Sequence, residues 1–83
     1  MKVGDFIEDT YKTFNGEIIA IVRGVVTEVF EDRNIKVVKY HCSQIHFSEH
    51  ESSLDGMLGT IVNRHSRNIV VLSHHGGKVV QSG

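Results

Sequence analysis

β-Branched residues dominate the apolar stretches of this chain, which run between short polar and glycine-containing breaks, so the body reads as strands. Val3 to Glu8 is predicted as the first strand. Residues 9–16 follow as a loop ending in Asn15-Gly16, a pair that favours positive φ and a tight turn. Glu17 to Phe30 is long and apolar, with aliphatic side chains on both faces. At least part of it is therefore expected to be covered on both sides. Gly24 sits in its middle, where glycine marks a bulge, a bend or a close backbone approach. The stretch is either one bent strand or two strands meeting at Gly24.

The polar connection Glu31-Asp32-Arg33-Asn34 leads into a returning arm, Ile35 to Cys42, and makes the clearest hairpin. In that arm Ile35, Val37, Lys39 and His41 share one face, and Lys36, Val38, Tyr40 and Cys42 the other. Gln44-Ile45-His46-Phe47 alternates again. Ser48-Glu49-His50-Glu51 has the form of a cap on a short helical turn, ended by Asp55-Gly56. Met57 to Asn63 is a further strand, residues 64–68 a polar turn, and Ile69 to Leu72 the last clear strand. The prediction is an all-β fold of five to six strands with at most one short helical turn. Strands this short are marginal alone, so they must form a small barrel or a strongly bent antiparallel sheet.

Length changes little in this picture. Eighty-three residues make one small domain, predicted over 1–74, with 75–83 as a flexible tail to which Val79-Val80 would add a short strand. Such a chain buries only about 60–65% of its unfolded surface, so a staple or a partner would help it. With Cys42 as the single cysteine, no internal disulfide can form. A lone thiol, an early charge at Lys2 and no apolar run of membrane-spanning length predict a soluble, cytoplasmic protein.

The net charge of −1 is unevenly placed: residues 1–32 balance at −4, and residues 33–83 at +3 with all six histidines. A two-signed surface suits a charged partner, or another copy of the chain met head to tail. The near-zero total argues against tight nonspecific binding to duplex DNA.

The opening Val3-Gly4-Asp5-Phe6-Ile7, the glycine-led Gly16 to Val22, and Gly24-Val25-Val26-Thr27-Glu28-Val29 resemble SH3-like small β-barrels of the KOW and Tudor kind. The resemblance covers residues 3–41, with Gly59-Thr60-Ile61-Val62 supplying a closing strand. It implies a binding module attached to transcription, translation or similar nucleoprotein machinery, and no functional residue is carried over from it.

The candidate chemistry is thin. His41, Cys42, His46, His50 and the pair His74-His75 are metal-ligand types, yet His41 and Cys42 point to opposite faces and no zinc spacing is present. Neither a metal site nor a cofactor is expected. Cys42 and His46 share parity but lie roughly 13 Å apart along a strand, too far for a thiolate and its base, so Cys42 reads as a buried structural thiol. Glu8-Asp9 and Glu31-Asp32 are expected in turns as solvated acids. No enzyme is predicted.

The expected function is a non-enzymatic protein-binding module, or a small regulator, docking on a protein of a nucleic-acid-processing machine. A viral modulator of host machinery would fit that size. Tyr11 and Phe14 in the first loop, with Arg64, His65 and Arg67 in the polar turn, are the candidate partner contacts. Self-association is a further candidate. The alternative is direct binding of RNA or single-stranded DNA by Lys36, Lys39, Arg64 and Arg67, with Tyr40 for stacking. A histidine-rich metal-binding protein is the third reading.

Overall fold

A computed structural model describes residues 1–48 and 54–74 of the chain. The helical turn expected at Ser48–Glu51, the strand at Val79-Val80, the tail, His50 and His75 fall largely or wholly outside those residues. Five strands are present: β1 (Phe6–Lys12), β2 (Ile18–Asp32), β3 (Ile35–Phe47), β4 (Ile61–His65) and β5 (Ile69–Ser73). They form one antiparallel sheet in the order β4-β3-β2-β1-β5. No helix among the described residues is long and apolar enough to cross a membrane.

The hairpin between β2 and β3 turns at Arg33 and Asn34, whose φ values of 51° and 67° are both positive. That is the two-residue turn whose twist matches the flanking strands, and Asn tolerates it well. β2 is one continuous strand, which decides between the two readings of its length. Its register against β3 shifts at two places, where Thr27 on β2 and Ser43 on β3 are the extra residues. Each fills its bulge with a hydroxyl that donates to the opposite strand: Thr27 Oγ1 to the Lys39 carbonyl at 3.3 Å, Ser43 Oγ to the Arg23 carbonyl at 3.2 Å. Bulges bend and over-twist a strand.

The Thr27 bulge also explains the apparent two-faced pattern. Ala20, Val22 and Val26 point inward, and the extra residue then brings Val29 inward too, out of step with simple alternation. The interior consists of Ile7, Ala20, Val22, Val26, Val38, Tyr40 and Cys42, with Val29, Ile45, Phe47, Val62, Ile69 and Val71 among the side chains packed around them. The outward Ile19, Ile21 and Val25 are half-buried, so the second face is covered only in part.

Several boundaries differ from expectation: β3 runs unbroken past Cys42 to Phe47, and β4 takes in Arg64 and His65 of the predicted polar turn. β1 starts later and runs on to Lys12, because Ile7, Asp9 and Tyr11 continue one inward row opposite Gly24, Val22 and Ala20. The loop of 9–16 thereby shrinks, and Asp9 is a buried strand residue rather than a solvated turn acid. β4 begins only at Ile61. A 3₁₀ turn at Asp55–Met57, followed by Gly59 at φ 83°, occupies the start of the predicted strand. A second 3₁₀ turn, Ser66–Asn68, joins β4 directly to β5, so the described residues hold two helical turns rather than one.

Asp5 anchors the start of β1. It is buried, accepts the Lys2 amide at 2.8 Å on Oδ2, and pairs with His74 Nδ1 at 3.0 Å on Oδ1. Burial pushes its carboxyl up, but the Lys2 amide and the His74 bond and charge together hold it below the ordinary value.

Gly24 is where β2 and β3 come closest. A Cβ there would overlap the His41 carbonyl oxygen and lie 2.7 Å from Tyr40 Cδ2. Both obstacles belong to the middle of β3 and cannot swing away. Gly24→Ala is therefore expected to cost about 3 kcal/mol in chemical denaturation, the upper range for forcing extra volume into a packed interior. A loss below about 1 kcal/mol would show that the two strands separate there easily.

Candidate functional site: a presented aromatic and a distant groove

Inside the sheet, four polar side chains meet. Asp9 on β1 is fully buried, and its Oδ2 accepts from Tyr40 OH at 3.0 Å and from Arg64 Nε at 2.9 Å. The Arg64 guanidinium lies over the Tyr11 ring, 4.2 Å from its centre, and the Tyr11 and Tyr40 hydroxyls are 3.4 Å apart. Asp9 Oδ1 has no hydrogen bond of standard geometry among the described residues. Burial pushes the Asp9 carboxyl above the ordinary value, against the charge and hydrogen bond of Arg64 and the hydrogen bond of Tyr40. Burial likewise raises both tyrosine hydroxyls.

This cluster redistributes the candidate residues. Tyr40 is fully buried, so it cannot offer a stacking face to a nucleic-acid base. Tyr11 lies in β1 under Arg64 rather than in a loop. Arg64 is about two-thirds covered and engaged from behind, not a free cation of a polar turn. Lys39 pairs with Glu28 at 3.3 Å and sits 5.9 Å from the Phe30 ring centre. Lys36, His65 and Arg67 are exposed. Cys42 is buried on the face opposite to His41; its Sγ lies 3.8 Å from the Gln44 carbonyl, and burial raises its thiol. Among the described residues no three His, Cys, Asp or Glu side chains group as metal ligands.

Phe14 is different: its side chain is fully exposed. The turn that carries it is closed by three hydrogen bonds. Gly16 N donates to the Thr13 carbonyl at 3.0 Å, Thr13 N to the Glu17 carbonyl at 2.9 Å, and Glu17 N to Thr13 Oγ1 at 3.2 Å. Gly16 supplies the positive φ of 84° that this path needs. The exposed Ile18 follows at the start of β2, and Lys12 and Thr13 line the hollow beside the ring.

At the other end of β2 lies a groove of about 400 Å³, lined by Phe30, Asp32, Val37, Asn63, Arg64 and His65. Strand register builds it: Phe30 is opposite Val37, and Val37 opposite His65, so the three share one outward face. Val37 is nearly buried and forms the floor. Comparison with known families, curated proteins and solved structures finds no match to this chain.

Sequence reasoning singled out Phe14, Arg64 and His65 as candidates, but not Phe30 or Asn63 of the groove, nor the pairing of Arg64 with Asp9. The signal for Asp9 was present, since Asp5, Ile7, Asp9 and Tyr11 fall on one strand face with the core aliphatics. An acid there needs a partner inside.

Removing Arg64 leaves the buried carboxylate unpaired, so Arg64→Ala is expected to cost about 3 kcal/mol at pH 7. The defect shrinks toward pH 4. Without Arg64 the folded Asp9 pKa rises further above its unfolded value, so stability is lost as pH climbs from about 4 through that raised pKa. Denaturant titrations of both proteins between pH 4 and 7 measure this, and a pH-independent difference would contradict it.

Proposed function

We propose that this chain is a non-enzymatic protein-binding module of the SH3-like small-barrel type, docking through its β1–β2 turn with Phe14 as the anchor. The carrying observation is the presentation of Phe14, a fully exposed aromatic on a turn locked by three hydrogen bonds. Exposing a phenyl ring costs free energy, and fixing its turn in advance removes entropy that binding would otherwise have to supply. Rigid aromatics of this kind are the usual anchors of protein interfaces.

The strand order β4-β3-β2-β1-β5, with one 3₁₀ turn joining the two outer strands, supports the small-barrel reading. The link to nucleic-acid-processing machinery rests on the resemblance of residues 3–41 to KOW and Tudor barrels. Direct nucleic-acid binding has less support: Tyr40 is interior, while Lys39 and Arg64 already face carboxylates.

Affinity capture from lysate with the wild-type chain and with Phe14→Ala, each with and without nuclease, tests the proposal. A stoichiometric protein that survives nuclease and disappears with Phe14→Ala is expected. The variant's own stability should stay within about 0.5 kcal/mol of wild type, as for any surface truncation. Loss of all captured protein on nuclease treatment, or capture unchanged by Phe14→Ala, would sink the reading.

A further inference from the structure

We infer that the chain binds a second copy of itself head to tail, with Phe14 of one protomer seated in the Phe30–Val37–His65 groove of the next. The inference rests on the reading of Phe14 as a docking anchor and names its partner.

Shape comes first. A phenyl ring occupies an apolar cavity of roughly 150 Å³. The groove offers about 400 Å³, with the Phe30 ring as a wall and Val37 as a floor. Aromatic rings pair favourably edge to face or offset, so Phe30 suits a phenyl guest.

Charge agrees with shape. Lys12 stands beside Phe14, and Asp32 lines the groove. Docking the turn would bring these opposite charges together. The groove's mixed lining of Asp32 with Arg64 and His65 suits a two-signed turn carrying Lys12 and Glu17 better than a polyanion.

Position then excludes closure within one molecule. The turn precedes Ile18 and the groove begins at Phe30, at opposite ends of the 15-residue strand β2. A contact between unlike surfaces at opposite ends is heterologous, so it builds a ring or an open chain rather than a two-fold dimer.

The alternative self-contact, strand addition at a sheet edge, is disfavoured at both edges. β4 carries the inward-pointing charge of Arg64, and β5 has five residues with a register shift between its Val71 and Ser73 positions. Short, bulged or inward-charged edges resist added strands.

Sedimentation equilibrium of the full chain from about 10 µM to 1 mM reads the association, because a small contact is weak and concentration-dependent. The apparent mass is expected to rise above the 9.3 kDa of the monomer. Phe14→Ala should weaken association at least about tenfold. Lys12→Glu and Asp32→Lys should each weaken it by about fivefold, and the double variant should recover it.

Asn63→Trp, which fills the groove, should also abolish self-association. Mixed with Phe14→Ala, it should yield 1:1 dimers, because one intact turn then meets one intact groove. A circular-dichroism melt checks that Asn63→Trp folds, and the charge-reversal pair tests the same contact without it. A wild-type chain that stays monomeric at 1 mM overturns the inference, as does unchanged association of Phe14→Ala. If the chain is monomeric yet Phe14→Ala still loses a nuclease-resistant partner, the docking reading stands and the second copy is the wrong partner.

Discussion

The ion pair between Asp9 and Arg64 joins β1 to β4, two strands separated in the sheet by β2 and β3. Side chains on strands so far apart meet only if the sheet curls until its inner face closes on itself. Everything inside depends on that closure. Tyr40 on the intervening β3 donates to the same carboxylate oxygen, and Tyr11 packs under the guanidinium. A buried ion pair contributes little net stability against an apolar filling, because both groups lose water. Its consequence here is directional: a hydrophobic interior of a few aliphatics packs in many ways, whereas a carboxylate with one cation and one hydroxyl fixes which strand faces which.

Curling requires bending, and three small residues in the paired strands β2 and β3 accommodate it. Gly24 allows β2 to press against the backbone of His41 and the ring of Tyr40. Thr27 and Ser43 place an extra residue on each strand and hold it with a hydroxyl bond across the ladder. The same bend lets one 15-residue strand serve the whole molecule, with an exposed aromatic turn at its start and a groove at its end. The separation of those two surfaces is thus a product of how the sheet closes. Lys12, paired across β1 and β2 with Ile18, and Asp32 accordingly lie at opposite ends of β2.

Strand content, the close approach at Gly24 and the β2–β3 hairpin were legible because each is local: β-branched runs, a glycine inside an apolar run, a polar connection before Ile35. Phe14 was legible as an aromatic in a turn-rich segment, and the structure places it fully outside. Tyr11, three residues earlier, looked the same and is a strand residue under Arg64. What separates them is the Asp9–Arg64 contact, 55 positions apart in sequence, which makes an acid tolerable on the core face and so extends β1. Bulges hid the remainder. The extra residue at Thr27 changes the parity of β2, so alternation alone could not reveal that Val26 and Val29 share the interior. Phe30 and Asn63 were missed for a related reason, since a groove made by register across three strands leaves no mark in any one of them.

Closure through Asp9 and Arg64 is the claim on which the interior, the β1 boundary and the placement of both surfaces rest. Nitrogen-15 NMR of the arginine side chains tests it most directly. Arg64 Nε–H should exchange slowly with solvent and show a cross-relaxation peak to the Tyr11 ring, over which its guanidinium lies at 4.2 Å. An Arg64 Nε–H exchanging as fast as those of the exposed Arg33 and Arg67 would contradict the account.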